Sequence, residues 1–283
     1  GCPCAAGYLI TEAGDDASGS EDKVGLIYPT TTTGRVKFAR SDNGGATFEQ
    51  IVISEVPGAD VQHDLQVVRN AGAGHLVAAL LERFDGKSRA ASSFSEDWGK
   101  TWSPVQYIRS GGTSMRPWLD VYGSRVGIML THSQFEGVPD AAPEDASWQI
   151  EYLESNDGGR SFGRPEIADP ESIKLGPICT EAFACYATGD FVQIPPNPPM
   201  FPREFDHIPY PCDLGYVTGL VDCSLDRELG NEISMAFDRN GKSLLAYTKS
   251  IAGHPDTQIR VLRQNYRTCK VSACLCAGNI TIH

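Results

Sequence analysis

Ser95-Glu96-Asp97-Trp98-Gly99-Lys100-Thr101-Trp102 recurs without gaps as Ser41-Asp42-Asn43-Gly44-Gly45-Ala46-Thr47-Phe48 and as Ser155-Asn156-Asp157-Gly158-Gly159-Arg160-Ser161-Phe162. The shared pattern is Ser-x-Asp/Asn-x-Gly-x-Thr/Ser-Phe/Trp, and the starts fall 54 and then 60 residues apart. An alternating run precedes each copy: Arg35 to Arg40, Arg89 to Phe94 and Trp148 to Leu153. Another, Phe48 to Ile53, follows the first. A strand, a tight polar turn with glycine and a second strand form a hairpin. The acid or amide bonds turn N–H groups, glycine supplies the positive φ, and the aromatic ring folds back on the hairpin. Ser41, Asn43, Gly45, Phe48, Ser95, Asp97, Gly99, Trp102, Ser155, Asp157, Gly159 and Phe162 are therefore structural positions. The aspartates among them are poor candidates for catalysis.

Further β-rich runs lie upstream of each hairpin. Val24 to Tyr28 precedes the first, Asp64 to Val68 and His75 to Leu81 the second, Pro117 to Tyr122 and Arg125 to Thr131 the third. About four short strands in each unit of roughly 50–60 residues is the repeat of a β-propeller blade. A final unit lacks the motif but keeps the layout: Ile233 to Phe237, an Asp238-Arg239-Asn240-Gly241 turn, Ser243 to Thr248 and Gln258 to Leu262. The expectation is one all-β domain over residues 1–283, a propeller of four-stranded antiparallel blades, five or six in number. Residues 168–230 break the pattern and read as a Pro/Cys-rich insertion around Pro195 to Pro202.

The chain has 283 residues, 36 acids against 24 bases and a net charge of −12. The acid excess argues against phosphate-directed nucleic-acid binding. No apolar run reaches the roughly 18 residues of a membrane span, and 41% hydrophobic residues describe a foldable chain. Nine cysteines avoid the repeats: Cys2 and Cys4, then Cys179, Cys185, Cys212 and Cys223, then Cys269, Cys274 and Cys276. They lack zinc-finger spacing, so disulfides are the expectation, and with them an extracellular, cell-surface or periplasmic protein whose leader is gone. Cys179/Cys185 and Cys212/Cys223 suit local bridges, and a terminal-to-terminal disulfide would fasten ring closure. The ninth cysteine stays over. No metal or cofactor is expected, apart from calcium as a weak option at the acidic stretch Asp15 to Asp22. Asn279-Ile280-Thr281 is a glycosylation sequon in a eukaryotic secretory host.

The three repeats resemble the Asp-box, or bacterial neuraminidase repeat, of sialidase-type propellers. The match is complete at Ser95 to Trp102, while the first copy carries Asn43 where that family prefers Asp. The resemblance implies the blade hairpin and the propeller fold. It is weaker for activity, because sialidases, other glycoside hydrolases, lectins and sorting receptors share the hairpin. Sialidase chemistry would use a tyrosine nucleophile with a glutamate, an aspartate acid/base and three arginines on the substrate carboxylate. The family's Arg-Ile-Pro motif is missing here; its nearest echo is Met115-Arg116-Pro117-Trp118.

Propeller ligands usually sit at one mouth of the central channel. His63, Asp64, Arg116, Glu181 and Glu232 lie at or near the expected starts of innermost strands, so they are the candidate ligand-binding residues. Carboxylates there could serve as acid and base, and Arg116 could hold an anionic group. No catalytic residue is assigned. The leading expectation is a non-catalytic scaffold for a protein or glycan partner, with loops 132–147 and 190–215 on display. The alternative is a sialidase-type glycoside hydrolase acting on anionic sugars.

Overall fold

The structure, a computed structural model, describes residues 8–12, 22–30, 35–55, 67–84, 86–178, 233–250, 257–264 and 280–282. They form four antiparallel sheets, each built in chain order from its innermost strand outward. The first contains β1 (Tyr8–Glu12), β2 (Lys23–Thr30), β3 (Arg35–Ser41) and β4 (Glu49–Glu55). The second contains β5 (Val67–Asn70), β6 (Leu76–Phe84), β7 (Lys87–Ser95) and β8 (Gln106–Tyr107). The third contains β9 (Thr113–Tyr122), β10 (Arg125–Ser133), β11 (Ser147–Ser155) and β12 (Glu166–Ile167), with β13 (Lys174–Leu175) also on β11. The fourth contains β14 (Ser234–Phe237), β15 (Ser243–Ser250), β16 (Thr257–Gln264) and β17 (Ile280–Ile282).

Alternation along each strand gives every sheet two apolar faces, so the sheets stack in a row. Ile27 and Phe38 of the first pack on Leu76 and Leu80 of the second. Val77 and Ala79, on the opposite face of β6, pack on Ile128 and Leu130. Trp148 and Ile150 then pack on Met235 and Tyr247 of the fourth sheet. The third and fourth sheets thus meet directly, although more than fifty residues separate β13 from β14 in sequence. The innermost strands β1, β5, β9 and β14 neighbour one another in the same order. This is propeller architecture. The expected insertion, the proline run and all nine cysteines lie outside the described residues, apart from residues 168–178 at the insertion's start.

The repeated turns join the third and fourth strands of their sheets. Ser95 Oγ donates to Asp97 Oδ1 at 2.8 Å and accepts from Gly99 N at 2.8 Å. Asp97 also accepts from Thr101 N and Thr101 Oγ1 at 2.9 and 2.6 Å. Asp157 repeats this with Ser155 and Ser161. Asn43 keeps the acceptor role toward Ser41 and Thr47 N, and its Nδ2 donates to Thr47 Oγ1. Each acid or amide is occupied in stitching its own turn, as the spacing predicts.

Side chains tie the axis together on the repeated-turn half of the ring. The Arg69 guanidinium of β5 stands 4.3 Å from the Tyr8 ring centroid of β1 and 5.7 Å from that of Trp118 in β9. Its Nε lies 3.4 Å from Asp120 Oδ1, and the other Asp120 oxygen accepts the Phe237 N–H of β14 at 2.9 Å. One cation therefore links groups on three inner strands, and its counterion reaches the fourth.

Candidate functional site

The end of the ring opposite the repeated turns is where β5 and β9 begin and where β6 and β10 finish. Here the apolar packing between sheets gives way to polar side chains. Strand alternation forces this, because inward positions near that end carry Glu82, Arg83, Ser114, His132 and Glu151.

Arg116 is the one expected ligand residue among the described ones; His63, Asp64, Glu181 and Glu232 lie outside them. The sequence reading started this strand at Pro117, but Arg116 sits inside β9. The reason is a bulge. Met129 pairs with Trp118 and Thr131 with Met115, so Arg116 and Pro117 share the space opposite a single residue. Proline has no N–H for the ladder and is tolerated at such an interruption. Arg116 pays for the bulge with φ +50, a region that non-glycine residues rarely adopt, and its side chain is only 8% exposed.

Beside it, Ser114 Oγ and His132 Nδ1 share a 3.1 Å hydrogen bond across β9 and β10. The imidazole is 3% exposed. Burial pulls its pKa below the usual histidine value; Glu151 and Glu136 act against that, and Arg109 acts with it. Glu151, 1% exposed, is held by both nitrogens of an Arg109 fork, with Arg109 Nε at 2.9 Å. Glu136 accepts Gly112 N at 2.8 Å and pairs with Lys87.

The other junctions end in the same way. Between the first two sheets Glu82 accepts from Ser54 and, at 2.7 Å, from Tyr107. Burial, then that bond, pushes the Tyr107 hydroxyl up to about 12. Between the last two, Asp169 accepts from Tyr247 and lies 3.9 Å from Lys249 Nζ, which also pairs with Glu171. Each junction thus closes on a buried carboxylate with its own donors. The sequence reading missed all three. For Glu82 and Glu151 the signal was a charge at an inward strand position, as in Leu80-Leu81-Glu82-Arg83.

Trp148 is fully buried and donates Nε1 to Gly176 O at 2.7 Å, so it packs sheets. Trp118 meets Tyr8 edge-on at 6.1 Å. The loop after His132 carries a short 3-10 turn, Pro139–Ala141, on this rim. Among the described residues no cluster of three or more metal-ligating side chains occurs, and no helix is long and apolar enough to cross a membrane.

No protein-family model and no curated protein sequence matches the chain. Solved structures do. An α-L-arabinofuranosidase of Fusarium graminearum in complex with an iminosugar inhibitor is 12% identical, with a TM-score of 0.44 over 91% of this chain and 61% of that one. An α-L-arabinanase of Cellvibrio cellulosa is 10% identical, with a TM-score of 0.41 over 98% and 76%. The NanB sialidase of Streptococcus pneumoniae is 12% identical, with a TM-score of 0.39 over 90% and 30%. The four stacked antiparallel sheets themselves have β-propeller architecture. The chain spans 61% of the length of the Fusarium chains it matches.

Proposed function

We propose that the chain is a carbohydrate-directed propeller of the glycoside hydrolase type, with its sugar site at the mouth where β9 begins. The observation that carries this reading is Arg116: a buried cationic side chain on an innermost strand, held at φ +50 in a bulge. Strained non-glycine residues gather where a side chain must be aimed, and a guanidinium fork suits a carboxylate or neighbouring hydroxyls. Ser114, two residues before it on β9, bonds His132, and Arg109 pairs with Glu151 of the same sheet. The acid/base pair that hydrolysis requires would come from Asp64, Glu181 and Glu232, the carboxylates expected at the same mouth. A secreted or surface location goes with this reading.

The test is turnover of fluorogenic α-L-arabinofuranosides and sialosides by the full chain. Arg116→Met should lower kcat/KM by about thirtyfold, the worth of a charge-assisted hydrogen bond. One observation favours a second reading, the non-catalytic binding module. The three buried carboxylates of the described rim are all committed to donors. Glycan-array binding that weakens in the Arg116 variant, with no turnover of any substrate, would decide for that module.

A further inference from the structure

The bulge that holds Arg116 separates two registers of the same strand pair. On the rim side of it Thr113 pairs with Ser133, Ser114 with His132 and Met115 with Thr131. On the other side Trp118 pairs with Met129 and Leu119 with Ile128. Carried on without a bulge, that second register would set Arg116 opposite Thr131, Met115 opposite His132 and Ser114 opposite Ser133. Arg116 would then be an ordinary extended residue, because the left-handed conformation belongs to the first residue of a bulge, where glycine is usual.

A slip of one residue moves each side chain to the other face of the sheet. Met115 is buried with Met129 and Trp148 in the core between the third and fourth sheets. Ile128 and Leu130 lie on the opposite face, toward the second sheet, and His132 shares that face by alternation. In the bulged register Ser114 meets His132 there, at 3.1 Å, with both side chains buried. In the slipped register Met115 would leave its core to face the imidazole, and the Ser114 hydroxyl would enter the apolar side.

Other ties reach the same strand start. Gly112 N donates to Glu136 Oε1 at 2.8 Å, and Thr113 Oγ1 donates to Gly137 O. Both bind the strand to a loop rather than to a ladder position, so they do not by themselves set the register. The Ser114–His132 bond does, since its partners face each other across β9 and β10, and it is the nearest of the three to Arg116. The ring is seated against the strand start as well: a Cβ on Gly112 would fall 2.6 Å from His132 Cε1.

We propose that Ser114 and His132 are positioning residues for Arg116: their hydrogen bond keeps the start of β9 in the bulged register and so keeps the Arg116 backbone left-handed. Neither is asked to touch a sugar. The consequence for ligands rests on the reading of the mouth given above; the consequence for the strand does not.

The strand is tested without any sugar. The Cα and Cβ carbon chemical shifts of Arg116 are displaced in opposite directions by left-handed and extended backbone. In the wild type they should mark a left-handed residue. Ser114→Ala should move them toward extended values, His132→Phe should do the same from the other strand, and Ser114→Thr, which keeps the hydroxyl, should restore them. Turnover of the fluorogenic sugars tests the consequence. Ser114→Ala should lower kcat/KM about fivefold, the worth of one neutral hydrogen bond, and should add no loss in the Arg116→Met background. Arg116 shifts that stay put in Ser114→Ala and His132→Phe, or an equal loss of turnover in both backgrounds, would overturn the positioning role. A wild type that turns over no sugar would sink the reading of the mouth alone, and the shifts would still decide the role of the pair.

Discussion

His132 is enclosed beside Ser114 and Glu151, and burial holds its pKa below the usual 6.5. The groups that face it are Glu151, Glu136 and Arg109. The folded state keeps the ring neutral, whereas the unfolded chain takes up a proton near 6.5. Stability is therefore complete above about pH 6.5 and falls as pH drops from there toward the depressed folded value. The melting temperature of the wild type should fall more steeply between pH 7 and 5 than that of His132→Gln; parallel profiles would refute this. Asp157 illustrates the opposite case. Hydrogen bonds from Ser155 and then Ser161 lower it to about 2, and Asn43 does the same work in the first turn without charge. That role was legible in the sequence, because every partner lies within four residues. The roles of His132 and Glu151 were not, since their partners Ser114 and Arg109 lie 18 and 42 residues away.

At the scale of the element, the repeated turn asks two different things of its glycines. Gly44 has φ +64 and open space around it, while Gly159 has φ +84 and Val77 beneath it. Gly44→Ala should cost only the left-handed backbone penalty, about 1 kcal/mol. Gly159→Ala adds overpacking and should cost about 3 kcal/mol or more. Urea titrations of the two variants would separate the effects, and equal losses would show that the sheet beneath the turn does not matter. The hairpins were readable from alternation and turn chemistry. Arg116 was placed just before its strand instead of inside it, because a bulge depends on cross-strand register, which no local pattern encodes.

At the scale of the whole molecule, Arg69 and Asp120 tie the described inner strands together at the axis. Arg69→Met removes the cation between Tyr8 and Trp118 and leaves Asp120 with the Phe237 N–H as its remaining bond among those described above. The loss should be about 2 kcal/mol in a urea titration, as expected for a half-buried ion pair with ring contacts. A change below 0.5 kcal/mol (the range of an ordinary surface substitution) would mean the inner strands are held by sheet packing alone. The sequence by itself determined the repeated hairpin, the four-stranded sheet and the all-β class, because turns and alternation are set by neighbours along the chain. Only the tertiary structure decided that the third and fourth sheets pack directly, that three buried carboxylates of the described residues line one rim, and that two of the repeated turns rest on the sheet before their own. Those properties arise between strands far apart in sequence, where side chains meet only after the sheets have stacked.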